Sequence, residues 1–256
     1  MKIPTLEGLI RRRLLVNFRV DPSAMQNLLP DRFRPKLHRS QAIAGLCLIR
    51  LEQVRPAGAP AFAGLSSENA AHRVAVEWTT RQGETREGVY IFRRETNSKL
   101  GQLAGGRLFP GIHHPAEFQI TDEQGEIDFT MTSRDGSADI RLHGTEADAL
   151  PPTSHFDALA ESSRFFENGS LGYSPARQPG HFDGLRLETT HWRVQPFAVT
   201  RVESRWLADK CPGAQFDHAL LMRDIPHRWH NAEEVASNES SMQASVRPGG
   251  PEGRLK

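Results

Sequence analysis

The 256-residue chain is poor in the residues that staple a fold, cross a membrane or charge a surface strongly. It has two cysteines, Cys47 and Cys211, and no CxxC pair. That excludes a disulfide framework and a cysteine-based zinc site, and it fits a reducing compartment. Cys47 lies within the apolar run AIAGLCLIRL, which predicts a small buried hydrophobe. No run of about 18 apolar residues occurs, so no segment is expected to cross a bilayer as a helix. The opening MKIPTLEGLIRRRLL has no long apolar stretch before its charges, unlike a secretory signal, and a cytoplasmic protein is expected. With a net charge of +1 the chain shows no electrostatic footprint for nucleic acid or an anionic membrane. Lysine is also scarce: Lys2, Lys36, Lys99, Lys210 and Lys256 are the only five among 32 cationic residues.

Several catalytic signatures are missing. There is no GxSxG elbow and no P-loop, and GQLAGG has the wrong spacing for a dinucleotide turn. His113 and His114 are adjacent, so on a strand they face opposite ways. His227 and His230 have helical spacing, but no third ligand accompanies them. Neither a metal nor a cofactor is expected.

What is present reads as β-structure. GLIRRRLLVNFRV and AIAGLCLIRLEQV are long strand-like runs, and HRVAVEWTT pairs with REGVYIFRR across RQGET, with Gly83 in the turn. FQITD, EIDFTMTS and ADIRLHG alternate and are split by DEQG and RDGS, which predicts a meander. GLRLETTHWRVQPFAVTRVESRWL holds two more strands broken near Gln195-Pro196. DPSAMQNLLP predicts a short helix with Asp21 as N-cap, Pro22 at its first position and Pro30 beyond its end. SHFDALAESSRFF predicts a second helix. Eight to eleven strands with few helices suggest a mainly β (α+β) domain whose largely antiparallel sheet curls or closes. One domain is expected over 1–232, followed by a polar, disordered tail over 233–256.

The order of DPSAMQNLLP (21–30), SENAAHRVAVEW (67–78), GVYIFRRETNSKLGQLAGGRLFPGIHHPAEF (88–118) and LETTHWRVQPF (187–197) resembles the domain of unknown function 2071 family, within the acetoacetate decarboxylase-like superfamily. The resemblance implies a closed or partly open β-barrel with a few short helices and a central cavity. In acetoacetate decarboxylase a K-K-L motif supplies a Schiff-base lysine and a helper lysine, with a glutamate on an earlier strand. The matching stretch here is Ser98-Lys99-Leu100, so serine stands at the Schiff-base position and Lys99 at the helper's. Glu68 matches the glutamate. The departure argues against Schiff-base decarboxylation.

Physics alone leaves Lys99 open as a surface charge, as a cavity cation for an anionic ligand, or as a covalent amine. An amine that is neutral near pH 7 needs a pKa about three units below the ordinary one, about 4 kcal/mol. Alternation places His72, Val74, Val76 and Trp78 on one side of a strand and Arg73, Ala75 and Glu77 on the other. A Glu68–Arg73 ion pair reaching the cavity is one expectation. The candidate catalytic residues are thus Lys99 and Glu68. The candidate ligand-binding residues are Arg73, Ser98, Arg107, His114 and His191. The expected function is binding or transformation of a small carbonyl or carboxylate compound. A non-catalytic acid-binding role and a structural or assembly role, including a homodimer that covers a sheet edge, are the alternatives.

Overall fold

A computed structural model describes residues 4–80, 82–98, 111–232 and 235–236. The apolar runs of the sequence become its longest strands. β1 is Leu6–Val20, and after helix α1 (Pro22–Gln26) and the two-residue strands β2 (Arg34–Pro35) and β3 (Leu37–His38) comes β4, Gln41–Pro56. Asp21 caps α1 as expected, its carboxylate accepting from Ala24 N at 2.9 Å. A 3-10 turn at Ala61–Ala63 leads into β5 (Leu65–Thr79), which pairs with β6 (Thr85–Thr96) through a hairpin whose Gly83 has φ +84°. The meander follows as β7 (His113–Glu123), β8 (Glu126–Ser133) and β9 (Asp139–Glu146). Its turns place Gly125 and Gly136 at φ +81° and +69°, a region that glycine enters without steric cost.

Helix α2 (Leu159–Glu167) precedes β10 (Leu171–Pro175), β11 (His181–Thr189) and β12 (Gln195–Ser204). Here the sequence reading needs correction. The break falls at residues 190–194, not at Gln195-Pro196. Pro196 stands at the start of β12, opposite Leu220, where a missing N–H is tolerated. RWL opens helix α3 (Arg205–Lys210), capped by Ser204, before β13 (Gln215–Asn231). The final pair, β14 (Val235–Ala236), lies against β11. The remainder of the expected tail lies outside the described residues. Fourteen strands exceed the expected eleven because β2, β3 and β14 are two-residue pairings with no periodicity to read.

Nine strands close a ring in the order β6-β7-β8-β9-β12-β13-β1-β4-β5 and back to β6. Most pairings are antiparallel, but β6–β7 and β6–β10 are parallel. β10 and β11 bridge β6 to β13 and so close a second circuit over the same wall, β13–β1–β4–β5–β6. The wall is buried on both faces. Leu14, Val16, Leu46, Leu48, Ala70 and Val74 point to the main apolar core, with Phe129, Met131, Ile140 and Leu142 from the meander. Phe33 sits in one end of that core, 5.3–5.8 Å from the rings of Trp78, Tyr90, Tyr173 and Phe182. The opposite face carries two smaller apolar clusters, one around Leu6, Ile10 and Met222 and one around Leu15, Phe156 and Phe166.

Candidate functional site: an arginine-lined cavity

On that opposite face of the wall lies a cavity of about 160 Å³, well above the roughly 10–15 Å³ that one water needs. It is therefore not at the centre of the nine-strand ring, whose interior is filled by the main core. Period-2 geometry explains what reaches it. Arg13 on β1, Cys47 and Ile49 on β4, and Asn69, Ala71 and Arg73 on β5 alternate with the residues of the main core. The far side comes from Gly172 on β10, Leu185 and Leu187 on β11, and Trp192 and Trp229.

The strand register arranges the polar groups in rows. Asn17, Gly45 and Arg73 stand side by side on β1, β4 and β5. A Cβ at Gly45 would lie 2.2 Å from Val16 O, so no side chain stands between the outer two. Across that gap Arg73 Nη2 donates to Asn17 Oδ1 at 2.7 Å. The next row is Leu15, Cys47, Ala71, Arg94 and His113. The small Ala71 leaves space between the Cys47 thiol and the Arg94 guanidinium. Arg13, one step along β1, donates from Nε to Cys47 Sγ at 3.3 Å.

Three guanidinium groups thus face one small space, and their hydrogen bonds go to neutral partners. Arg94 donates to Ser174 Oγ at 3.2 and 3.4 Å, and the ring of Phe166 lies 5.0 Å from the Arg73 guanidinium carbon. Among the described residues no carboxylate is within ion-pair distance of Arg13, Arg73 or Arg94. Burial lowers Arg73 and Arg94 to about 10, the Asp183 carboxylate pulling Arg94 the other way, so both stay protonated near neutrality. Arg73 is 4% exposed and its Nη1 has no hydrogen-bond partner.

Glu95, next to Arg94 on β6, projects from the other face of the strand, that of its register partner Ala70, and is fully buried. Burial pushes it up to about 7, against the pull of Arg93, which donates to Glu95 Oε1 and binds Asp135 with both carboxylate oxygens at 2.9 and 3.0 Å. His72 shares that face of the strand pair, the register setting Ala70 opposite Glu95 and His72 opposite Arg93, and its Nδ1 lies 3.7 Å from Glu95 Oε2. Burial, reinforced by Arg93, pulls His72 down to about 3. His113 is likewise held at about 3 by burial and by Arg94.

A second buried cluster supports the arginines from behind. Ser162, His218 and Asp217 have no exposed surface. Ser162 Oγ is 2.7 Å from His218 Nε2, and His218 Nδ1 is 2.6 Å from Asp217 Oδ2. The residue types match a hydrolase triad, but a serine with no exposed surface meets no substrate. With Nδ1–H donated to Asp217, Nε2 accepts from Ser162 and from Asn17 Nδ2 at 3.2 Å. Asn17 Oδ1 is then turned toward Arg73. The cluster positions Arg73; it does not attack.

The expected site residues separate accordingly. Arg73 and Ser98 line the cavity. Lys99 and Arg107 lie outside the described residues. The Glu68–Arg73 pair does not form, because an odd sequence separation on a strand puts the two on opposite faces. Glu68 instead meets Arg12 at 2.8 Å and Arg50 at 3.7 Å. Burial raises Glu68, with both arginines opposing. His114 points away from its cavity-lining neighbour His113 and sits 3.6 Å from Asp135. His191 is exposed on the bend between β11 and β12, not on a strand, and bonds only locally to Thr190. Cys47, expected as a small buried hydrophobe, is half-buried, packs against the Leu15, Phe156 and Phe166 cluster and also lines the cavity. Arg13, Cys47, Arg94, Glu95 and the Asp217–His218 pair were not singled out as site residues. The alternation in RRRLLVNF and GLCLI already separates Arg13 and Cys47 from the core-facing leucines.

The profile of DUF2071, described as an uncharacterized conserved protein, matches residues 9–231. The chain belongs to the DUF2071 family. No curated protein matches its sequence. Three solved structures share the fold of this DUF2071 protein at low identity. Acetoacetate decarboxylase from Legionella pneumophila aligns with a TM-score of 0.62 and 11% identity, over 93% of this chain and 89% of its own. An acetoacetate decarboxylase-like enzyme from Sphingomonas wittichii gives 0.59 and 13%, over 93% and 95%. The enduracididine biosynthesis enzyme MppR, complexed with pyruvate, gives 0.57 and 10%, over 94% and 93%. At such identities the likeness is one of fold. In this DUF2071 chain Ser98 follows β6 at the mouth of the arginine row, its backbone N–H donating to Thr96 Oγ1 at 3.1 Å.

Proposed function

We propose that the cavity binds a small carboxylate, with a 2-oxo acid of pyruvate size as the simplest fit. The observation that carries this is the convergence of Arg13, Arg73 and Arg94 on one small space with no carboxylate among the described residues within ion-pair distance. Fixed, partly desolvated guanidinium groups bind a carboxylate through charge-assisted and bidentate hydrogen bonds. The apolar far side, from Leu185, Leu187, Trp192 and Trp229, suits a short carbon chain. That MppR was solved with pyruvate agrees with this size class. Serine at position 98 cannot form an imine, so the reading involves no Schiff base there.

Thermal-shift titration tests the reading, with pyruvate and, as a neutral control, its methyl ester. At 100 times Kd a ligand adds about 2.7 kcal/mol to the folded state. Pyruvate is expected to raise the Tm by several degrees in wild type and not in Arg94→Met. An equal shift with the ester, or no shift with any small acid, refutes the proposal.

A further inference from the structure

We propose that Cys47 is a reactive thiol that forms a covalent adduct with small carboxylates bearing an electrophilic carbon, such as α,β-unsaturated acids. The inference rests on the carboxylate-binding reading above and adds a reaction to it. Cys47 is half-buried, lines the cavity and receives the Arg13 Nε–H at 3.3 Å. It stands in one row with Arg94, separated only by Ala71. Cys47 is also diagonal to Arg73, whose register partner on β4 is Gly45, two residues from Cys47. Independently of the thiol, the buried Arg73 carries an Nη1 without a hydrogen-bond partner at the cavity wall. A buried guanidinium whose five donors are incompletely paired, on a residue that lines a cavity, is a group to which an anion adds hydrogen bonds.

An acid held by Arg73 and Arg94 places its second and third carbons beside the sulfur, and such positioning is worth many orders of magnitude in effective concentration. The step balances without a redox partner. The sulfur–Cβ bond forms, the C=C electron pair moves to Cα, and Cα takes up the proton that the thiol gave up. Fixed positive charge around the sulfur also concentrates anionic reagents over neutral ones.

The other cysteine is a built-in control. Cys211 is 1% exposed and burial pushes it up to about 11. The experiment alkylates the native protein with limiting iodoacetate or iodoacetamide and locates the label by peptide mass. Expected is labelling at Cys47 alone, at least tenfold faster with the anionic reagent, and a preference that is lost in Arg73→Met and Arg94→Met. Acrylate is expected to add once to wild type and not to Cys47→Ser. Equal labelling of both cysteines, faster reaction with iodoacetamide, or absence of any adduct at Cys47 overturns the proposal. Propionate, which is not electrophilic, separates this failure from that of the binding reading. If propionate raises the Tm of wild type and of Cys47→Ser while acrylate forms no adduct, binding stands and the covalent step falls.

Discussion

Replacing Arg73 by Met separates the stability of the fold from ligand binding, because the cost of burying the guanidinium nearly cancels the contacts it makes. Burial holds Arg73 near 10 against an ordinary 12.5. At 1.36 kcal/mol per pH unit, the charged side chain costs the folded state about 3 kcal/mol at neutral pH. Because Arg73 is 4% exposed, solvent screening removes little of that. Against it stand one charge-assisted hydrogen bond to Asn17 and one contact with Phe166, together about 2–4 kcal/mol. Met matches the length of the alkyl stem and carries no charge. Arg73→Met should therefore stay within about 1 kcal/mol of wild type without ligand, or within about 4 °C in Tm. It should also lose the pyruvate-induced shift. Calorimetry with and without pyruvate reads both quantities. A variant that is destabilised by 2 kcal/mol or more refutes the reasoning, because the guanidinium would then be a structural tie already satisfied by the protein.

Two further outcomes follow from the buried titrating groups. Glu95 binds its proton more tightly folded, at about 7 against 4.5, so its contribution is full below the unfolded value and is lost as pH rises toward 7. His72 works oppositely, its stability being present above 6.5 and lost as pH falls toward 3. The two offset each other between about pH 4.5 and 6.5. Glu95→Gln should unmask His72, so that its stability climbs with pH across this window by about 1–3 kcal/mol more than wild type does; parallel curves from chemical denaturation would contradict the assignment. Asp217 is lowered although burial alone would raise it, because His218, the His155 N–H and Ser154 donate to it. Asp217→Ala should cost about 3–5 kcal/mol at pH 7 and weaken the pyruvate shift through misplacement of Arg73; an unchanged midpoint in urea would show that the cluster holds nothing.

Much of the fold was legible because it is written in short-range chemistry. The Asp21-Pro22 helix start, the Gly83 hairpin and the Gly125 and Gly136 turns each depend on one or two residues whose backbone preferences dominate locally. The opposite faces of His72 and Arg73, and of His113 and His114, follow from strand alternation. Alternation also placed Arg73 correctly but does not say which of two buried faces encloses a cavity, since both sides of the wall are apolar. Glu68 was misplaced for a related reason: the motif order that matched it to a glutamate carries no information about which way a side chain points. The approach of Asn17, His218 and Ser162 spans separations of 201 and 56 residues. No local pattern encodes such contacts. The register shifts of the β1–β4 pair, one with the extra residue on β4 opposite Glu7–Leu9 and one with it on β1 between Ile10 and Arg12, add to this, because each reverses the parity that simple counting assumes.

The doubly buried wall from β13 to β6 has a consequence for how such a protein diversifies. Its even and odd positions answer to separate demands, one set to the folding of the ring and the other to whatever occupies the cavity. A substitution at Cys47, Ala71 or Arg94 changes the contents of the cavity while Leu46, Ala70 and Val74 continue to hold the strands in register. A one-residue slip, by contrast, would exchange the two sets and drive three arginines into the apolar core. Ligand preference in this architecture is thus free to drift one side chain at a time, while strand register is fixed by the penalty for burying those charges.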